Sequence, residues 1–598
     1  MTVVCPHCRT PLAENASRTC SQCGKTLAVE PIRPMHIIVV DRLDGDMPSA
    51  PNEGISVRRP STHPAALFEG GTRHLVNREF VKAVEAFSRI LNLDGRLAEA
   101  WNYRGQAWFA LGETNRALAD LDQAIALDPT CSVYFNNRGL AHLAQPNLDK
   151  ARADFECAIQ LGQLNAQAHH NLGFVLLQQK CPDAALEKFT RAIDLDPGFI
   201  EAYHLRGLIF AGRTDLDSAL ANFDEALRKD PKFVIGWNNR GLAHAARGEY
   251  DRALADFSCA LELKPTNIES WHNRGMVYKD TGDIARASAD FTRALELDPK
   301  LANSYHNRAF CRFAQGDYEL AMADYDAEIA VRPDRALAYH NRGVLFMVQG
   351  DFDRALAEFQ HALARDHKLA TAWFHCGNIA RARRDFPAAI ANYSHALHCQ
   401  ADLVVAWLHR GECHAETGAH PQAIAQFSEA IRLRPNMAAP YFHRGRASAA
   451  LKEFSLALAD FDQALQLNPR LLSAYQARAH AWTALADYEH AMANHLDSIR
   501  LNPKSWVAYN SFAWLWITCP DAQLRDATMG IELATRACEL SSWDDWSCLI
   551  TLAAANAQTS AFEQAVDLAE KAMALAPPEN QSECRILLER FHRRLPAG

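Results

Sequence analysis

The chain has 598 residues, is 48 % hydrophobic and carries a formal net charge of −9 with a pI near 6.3. That balance gives no overall electrostatic reason to bind nucleic acid or an anionic membrane. No run approaches the ~18 apolar residues of a spanning helix, and residues 1–30 lack the apolar core of a signal peptide, so the expectation is a cytoplasmic protein without membrane contact.

Cys5, Cys8, Cys20 and Cys23 stand in two knuckles, CPHC and CSQC. Four thiolates at this spacing can converge tetrahedrally on one ion, and so short a segment needs that binding energy to fold. The similar halves CPHCRTPL and CSQCGKTL resemble a zinc ribbon over residues 1–29. The resemblance implies a structural Zn2+ held by Cys5, Cys8, Cys20 and Cys23; the iron of a rubredoxin-type site and a redox dithiol are the alternatives. His7 reads as solvated, and Arg9, Arg18 and Lys25 are too few to make a phosphate track. Residues 30–63, punctuated by Pro31, Pro34, Pro48, Pro51 and Pro60, read as a largely disordered linker. Within it Met35 to Val40, MHIIVV, is open between an added strand and plain linker.

From residue 64 one unit repeats. Gly stands at 71, 105, 139, 173, 207, 241, 275, 343, 377, 411 and 445, and Pro at 129, 197, 231, 265, 299, 333, 435, 469 and 503, in steps of 34 or its multiples. Such a period marks stacked units, none of which buries its apolar face alone. In the stretch from Val234 to Asn267, Trp237, Gly241 and His244 lie at helical spacing and Gly248 interrupts. Ala253, Phe257 and Ala260 then mark a second helix that Pro265 ends. With these residues in register the chain resembles the tetratricopeptide repeat. The resemblance implies an all-α superhelical solenoid of about fifteen helix-turn-helix repeats: thirteen regular ones over 64–505, then two degenerate ones and a capping helix over 506–598.

Differences among the repeats point to two rows. Arg precedes the Gly position at 104, 138, 206, 240, 274, 308, 342, 410, 444 and 478; sixteen residues on stand Asp120, Asp154, Asn222, Asp256, Asp290, Asp324, Glu358, Gln426, Asp460 and Asn494. An antiparallel pair places these positions level, predicting a bridge that sets registry within each repeat. One place before the Arg, Asn137, Asn171, Asn239, Asn273, Asn307 and Asn341 share a site continued by His375, His409 and His443. The preceding place carries Asn102, Asn136, His170, His204, Asn238, His272, His306 and His340.

The family resemblance implies that first helices line a concave groove. The ladder would then bind the backbone of an extended polypeptide, much as the similar asparagine ladder of the O-linked N-acetylglucosamine transferases does. A carboxamide both donates and accepts, which suits that task; the alternative is a merely solvated face. Replacing four of the asparagines by Ala is expected to weaken binding while melting stays nearly unchanged. Histidines on successive layers are too far apart to share one metal ion. The carboxylate-clamp version of the family uses a Lys at the first ladder position; none stands here, so chaperone tails are not expected.

One residue after the Gly position the row is apolar at Leu140, Phe174, Leu208, Leu242, Met276, Phe310 and Val344, then polar at Asn378, Glu412, Arg446 and His480. It either lines the groove or packs between helices.

After Pro503 the connection TCPDAQLRD breaks the spacing, and Trp506, Trp514, Trp516, Trp543 and Trp546 predict a capping core, followed by a final helix from Gln581 to Leu595. The stretch from Ala513 resembles a terminal cassette of bacterial, especially planctomycete, repeat proteins. No glycine-rich phosphate loop, HRD segment or nucleophile elbow occurs. The expected function is a non-catalytic scaffold with a polypeptide in its groove. The alternatives are a zinc-ribbon nucleic-acid adaptor and a regulatory subunit of an enzyme complex.

Overall fold

The computed structural model describes residues 62–596 apart from Gln163 and Ala522; the proposed zinc ribbon with Cys5, Cys8, Cys20 and Cys23, and nearly all of the linker, lie outside the described residues. Thirty-one helices and no strand occupy the described residues, and successive helices pair antiparallel with the last one left over. Contacts divide the chain into one unit ending at Val331 and another covering 332–598. Both are built from the same repeat.

Val234–Ala246 and Tyr250–Leu263 typify it. The first helix ends because Gly248, at φ +78°, takes a left-handed turn that a residue without Cβ adopts at no steric cost. The second often starts on a cap: Asn147, Asp215, Asp283, Asp351, Asp385 and Asp487 each accept a hydrogen bond from an N–H three residues on.

The core sits between the two helices of each repeat and against the first helix of the next. Ala253, Phe257 and Ala260 are fully buried, as are Phe155, Phe189, Phe223 and Phe291 at positions equivalent to Phe257. Gly241 admits the ring: a Cβ there would lie 2.8 Å from Phe257 Cε1. Trp237 anchors the first helix. Half-buried, it donates its indole N–H to the Pro231 carbonyl at 2.8 Å, and Trp271 and Trp407 repeat the bond to Pro265 and Ala401. The first helix is thereby tied to the turn before it.

At the carboxy-terminal end Trp506, Trp514 and Trp546 pack against a core that includes Ile517, Leu549, Leu552 and Phe591. The final helix spans Gln581–His592, three residues shorter than expected, because Arg594 turns left-handed ahead of Pro596. Cys584, Leu587, Leu588 and Phe591 are buried on its inner side, while Ile586 is exposed.

Candidate functional site: the face built by the first helices

All ten Arg positions meet the partners sixteen residues on, with Nε at 2.7–3.0 Å from the acceptor oxygen. Where the partner is Asp, Nη2 adds a parallel bond, as from Arg240 to Asp256 at 2.7 Å. The structure adds an arm that the spacing alone did not suggest. Nη1 reaches back sixteen residues to the second helix of the preceding repeat, to Ser88 from Arg104, Asp224 from Arg240, Ser394 from Arg410 and Asp462 from Arg478. Nine of the ten Arg residues thereby clamp their own repeat and join it to its neighbour. Bonds from Asp154, Asp256 and Asp460 push the Arg138, Arg240 and Arg444 guanidiniums above their ordinary range, whereas burial lowers Arg206 and Arg410, whose partners are amides. Where Arg is replaced, Leu172 and Cys376 are buried apolar groups, and Asn392 turns to the Ala388 carbonyl.

The asparagine and histidine rows interlock. In the unit ending at Val331, the Asn137 amide donates to Asn102 at 2.7 Å, that of Asn171 to Asn136 at 3.0 Å and that of Asn273 to Asn238 at 3.1 Å, each partner being 35 residues earlier on the previous first helix. Asn239 donates in the same way to His204 Nε2 at 2.7 Å. The preceding row is thus an internal acceptor row: Asn102, His204 and Asn238 are 3 to 4 % exposed. Asn307 departs from the pattern, donating to the Asn303 carbonyl and accepting from Lys279 Nζ at 2.9 Å.

In the unit from 332, Asn341 Oδ1 lies 3.0 Å from His340 Nδ1, and His375 stacks on Phe359. His409 Nδ1 meets Asn378 Oδ1 at 3.1 Å, and His443 Nε2 lies 3.5 Å from Glu412 Oε1. These partners stand 31 residues back, about one helical turn along the previous helix from those of the asparagines. Two changes read separately in the sequence, Asn to His in the ladder and apolar to polar one residue after the Gly, are therefore one change in two of the repeats.

These bonds revise one expectation. Asn239 is 2 % exposed, and its truncation would leave His204 Nε2 buried without a donor, so changing the asparagines together lowers stability as well as any affinity. The ladder still keeps acceptors in reserve. Among the described residues no protein donor reaches Oδ1 of the half-buried Asn137 or Asn273. The row after the Gly is half-buried at Leu140, Phe174, Leu242, Met276 and Phe310, buried at Leu208, and exposed at Arg446 and His480.

Among the described residues no group of three or more His, Cys, Asp or Glu is placed to hold a metal ion. The twelve described cysteines are unpaired, and burial pushes the Cys311 and Cys376 thiols up to about 12, as suits small apolar core groups. No helix among the described residues is long and apolar enough to cross a membrane.

A tetratricopeptide repeat model matches residues 204–268, 340–403, 377–438 and 421–471. Other models of the same description match 98–131, 166–199, 268–301 and 291–323. No curated protein matches the chain. Among solved structures, YrrB, described as a TPR protein with an unusual peptide-binding site, is 26 % identical over 32 % of this chain and 98 % of its own, with a TM-score of 0.28. Yeast Tom70 is 16 % identical over 71 % of this chain and 96 % of its own, at 0.33. The C-terminal part of a repeat protein from Cytophaga hutchinsonii is 20 % identical over 40 % and 97 %, at 0.35. The repeat models together span more than half of the residues, and the chain belongs to the tetratricopeptide repeat family.

Proposed function

We propose that the protein is a non-catalytic scaffold that binds extended polypeptide along the face built by its first helices, the concave side of each unit. The observation that carries this reading is the pre-ordered amide row. Asn137, Asn171, Asn239 and Asn273 are each fixed by a bond to the previous repeat, and the half-buried Asn137 and Asn273 present a spare Oδ1 acceptor without further loss of side-chain entropy. Successive first helices touch one another, as Ala98–Ala110 does with Ser132–Ala144 and Val404–Glu416 with Ala438–Ala450, which suits an inner layer. Repeats of this family generally mediate protein–protein interactions. Asn341, His375, His409 and His443 continue the row in the second unit. There the imidazoles are drawn into stacking and polar contacts and offer fewer free acceptors.

Cys5, Cys8, Cys20 and Cys23 complete the proposal as a structural zinc site in a second contact module, because four thiolates match the tetrahedral preference of that ion. The test of the groove uses the full chain and a displayed library of random twelve-residue peptides, with selected peptides mapped by hydrogen exchange. Protection along the first helices is expected. Enrichment that maps only to residues 1–61 transfers the function to the ribbon, and failure to enrich any peptide rejects the groove. A nucleic-acid adaptor would instead bind oligonucleotides in the same format.

A further inference from the structure

The seam between the thirteenth repeat and the carboxy-terminal cap is built unlike those before it. From residue 332 to 501 each seam is crossed by a side-chain bond from one repeat to the next: Arg383 to Asp353, Arg410 to Ser394, Arg444 to Ser428 and Arg478 to Asp462. At the next equivalent place stands Phe512. Among the described residues no side-chain hydrogen bond or ion pair joins Leu472–Ala484 or Tyr488–Leu501 to Trp506–Thr518 or to anything beyond it. The cap holds itself together instead: Asn510 donates to Ser547, Gln558 reaches the Ile517 carbonyl, and one hydrophobic core runs from Trp506 to Phe591 without a residue of the thirteenth repeat.

What meets at this seam is poorly satisfied. His495 stands where Phe427 and Phe461 fill the cores of the two preceding repeats, and Ser498 where Ala430 and Ala464 do. His495 is 1 % exposed and Ser498 fully buried, yet His495 Nδ1 and Ser498 Oγ have no partner among the described residues. Unpaired buried polar atoms favour any state that returns them to water. The imidazole stacks on Phe512 across the seam at 5.6 Å and lies 6.0 Å from the His480 ring. No carboxylate offsets it. On Leu472–Ala484, Arg478 is spent on Asn494 and Asp462, and Tyr475 bonds the Pro469 carbonyl. Trp506–Thr518 carries no titratable group except Tyr509. On its own helix Tyr488, Glu489 and His490 lie in the first turn, and Asp497 pairs with Arg500. Burial, with His480 nearby, therefore keeps the His495 imidazole neutral, pushed down to about 3.

We propose that this seam is a built-in point of opening: the cap, residues 506–598, undocks from the array as one body, and acid drives the undocking because a protonated His495 has no counter-charge while docked. Undocking leaves Tyr488–Leu501 as an uncapped end, which frays because each repeat leans on its neighbours. Opening returns His495 to water, where an imidazole titrates near 6.5. The open form then takes up the proton first, so docking is at full strength above about 6.5 and weakens as pH falls from there toward 3. Between pH 8 and pH 5 the opening constant rises about thirtyfold. The device stands independently of what the groove binds.

The experiment is hydrogen exchange on the full chain at pH 8 and pH 5, expressed as protection relative to unstructured peptides of the same sequence at the same pH. Protection over 488–501 should fall about thirtyfold between the two, while 546–558, inside the cap, keeps its protection. His495→Phe with Ser498→Ala restores the residues of the preceding repeats; Ala479 stands at the Gly position there, as Ala309 does in the repeat of the buried Tyr325. This double variant should raise protection over 488–501 at pH 8 and cut the fall at least tenfold. His495→Gln, polar but not titratable, should lower protection at pH 8 and cut the fall as much, so the outcome does not hang on how well the phenyl ring packs. A fall that survives His495→Gln overturns the role of the imidazole. Equal loss over 488–501 and 546–558 shows the cap unfolding rather than undocking, and overturns the opening itself.

Discussion

Arg240 and Asp256 face each other through two parallel bonds, Nε to Oδ2 at 2.9 Å and Nη2 to Oδ1 at 2.7 Å, with the Trp237 ring stacked 4.6 Å from the guanidinium. The same Arg reaches Asp224 of the preceding repeat at 2.6 Å. Asp256→Ala leaves a partly buried guanidinium without its main partner and should cost about 2–3 kcal/mol, less than the loss of a fully buried partner because Arg240 keeps some solvent contact. Asp256→Asn should cost below about 1 kcal/mol, since Asn222 and Asn494 hold the equivalent Arg206 and Arg478 by one bond of 2.7 Å. Hydrogen exchange through the repeats around 234–267 measures both. Equal losses would show that the charge, rather than the bonded oxygen, sets registry.

Two adjacent glycines should respond with opposite sign. A Cβ on Gly71 would sit 2.8 Å from Phe87 Cζ, while one on Gly70 meets nothing within 4 Å. Gly71→Ala overpacks the first repeat and should destabilise it by about 1–3 kcal/mol. Gly70→Ala removes only unfolded-state freedom and should stabilise the helix by up to ~1 kcal/mol. Because each repeat depends mainly on its neighbours, exchange rates within residues 62–93 are the readout. The same sign for both would reject the packing argument.

His204 links pH to stability. Burial pushes its imidazole from 6.5 down to about 4, and its Nε2 accepts from Asn239. The unfolded chain thus binds the proton more readily, so the neutral-pH stability is complete above about 6.5 and is lost as pH falls from 6.5 through 4. At pH 5 one such group removes about 2 kcal/mol. His204→Asn reproduces the Asn102 arrangement and should flatten this part of the stability profile while changing stability at pH 7.5 by under ~1 kcal/mol. An unchanged slope in denaturant titrations between pH 7 and 4 would assign the loss to other groups.

Protein purified without chelator should carry about one zinc per chain, and Cys5→Ser with Cys20→Ser should abolish it while the helical signal of residues 64–598 persists. Elemental analysis decides. A metal-free native protein rejects the site, and an iron absorption spectrum assigns it to the rubredoxin type.

The period, the helix pairs and the ten Arg partnerships were legible in the sequence because each depends on residues within one repeat, where identity and spacing along the chain imply distance. Thirteen near-copies also act as an alignment of the chain with itself, so Leu172 and Cys376 stand out as exceptions in the sequence alone. What lay between repeats was not legible. That Arg240 also holds Asp224, that Asn239 is spent on His204, and that His409 meets Asn378 one turn along the helix from an asparagine's partner, all depend on how far one repeat is rotated against the next. No local pattern encodes that rotation. It emerges from the size and bonding of the side chains at the seam between repeats. For the same reason the bare seam before the cap had no sequence signature of its own: His495 and Phe512 lie on different helices, and only stacking brings their rings together with no bond beside them.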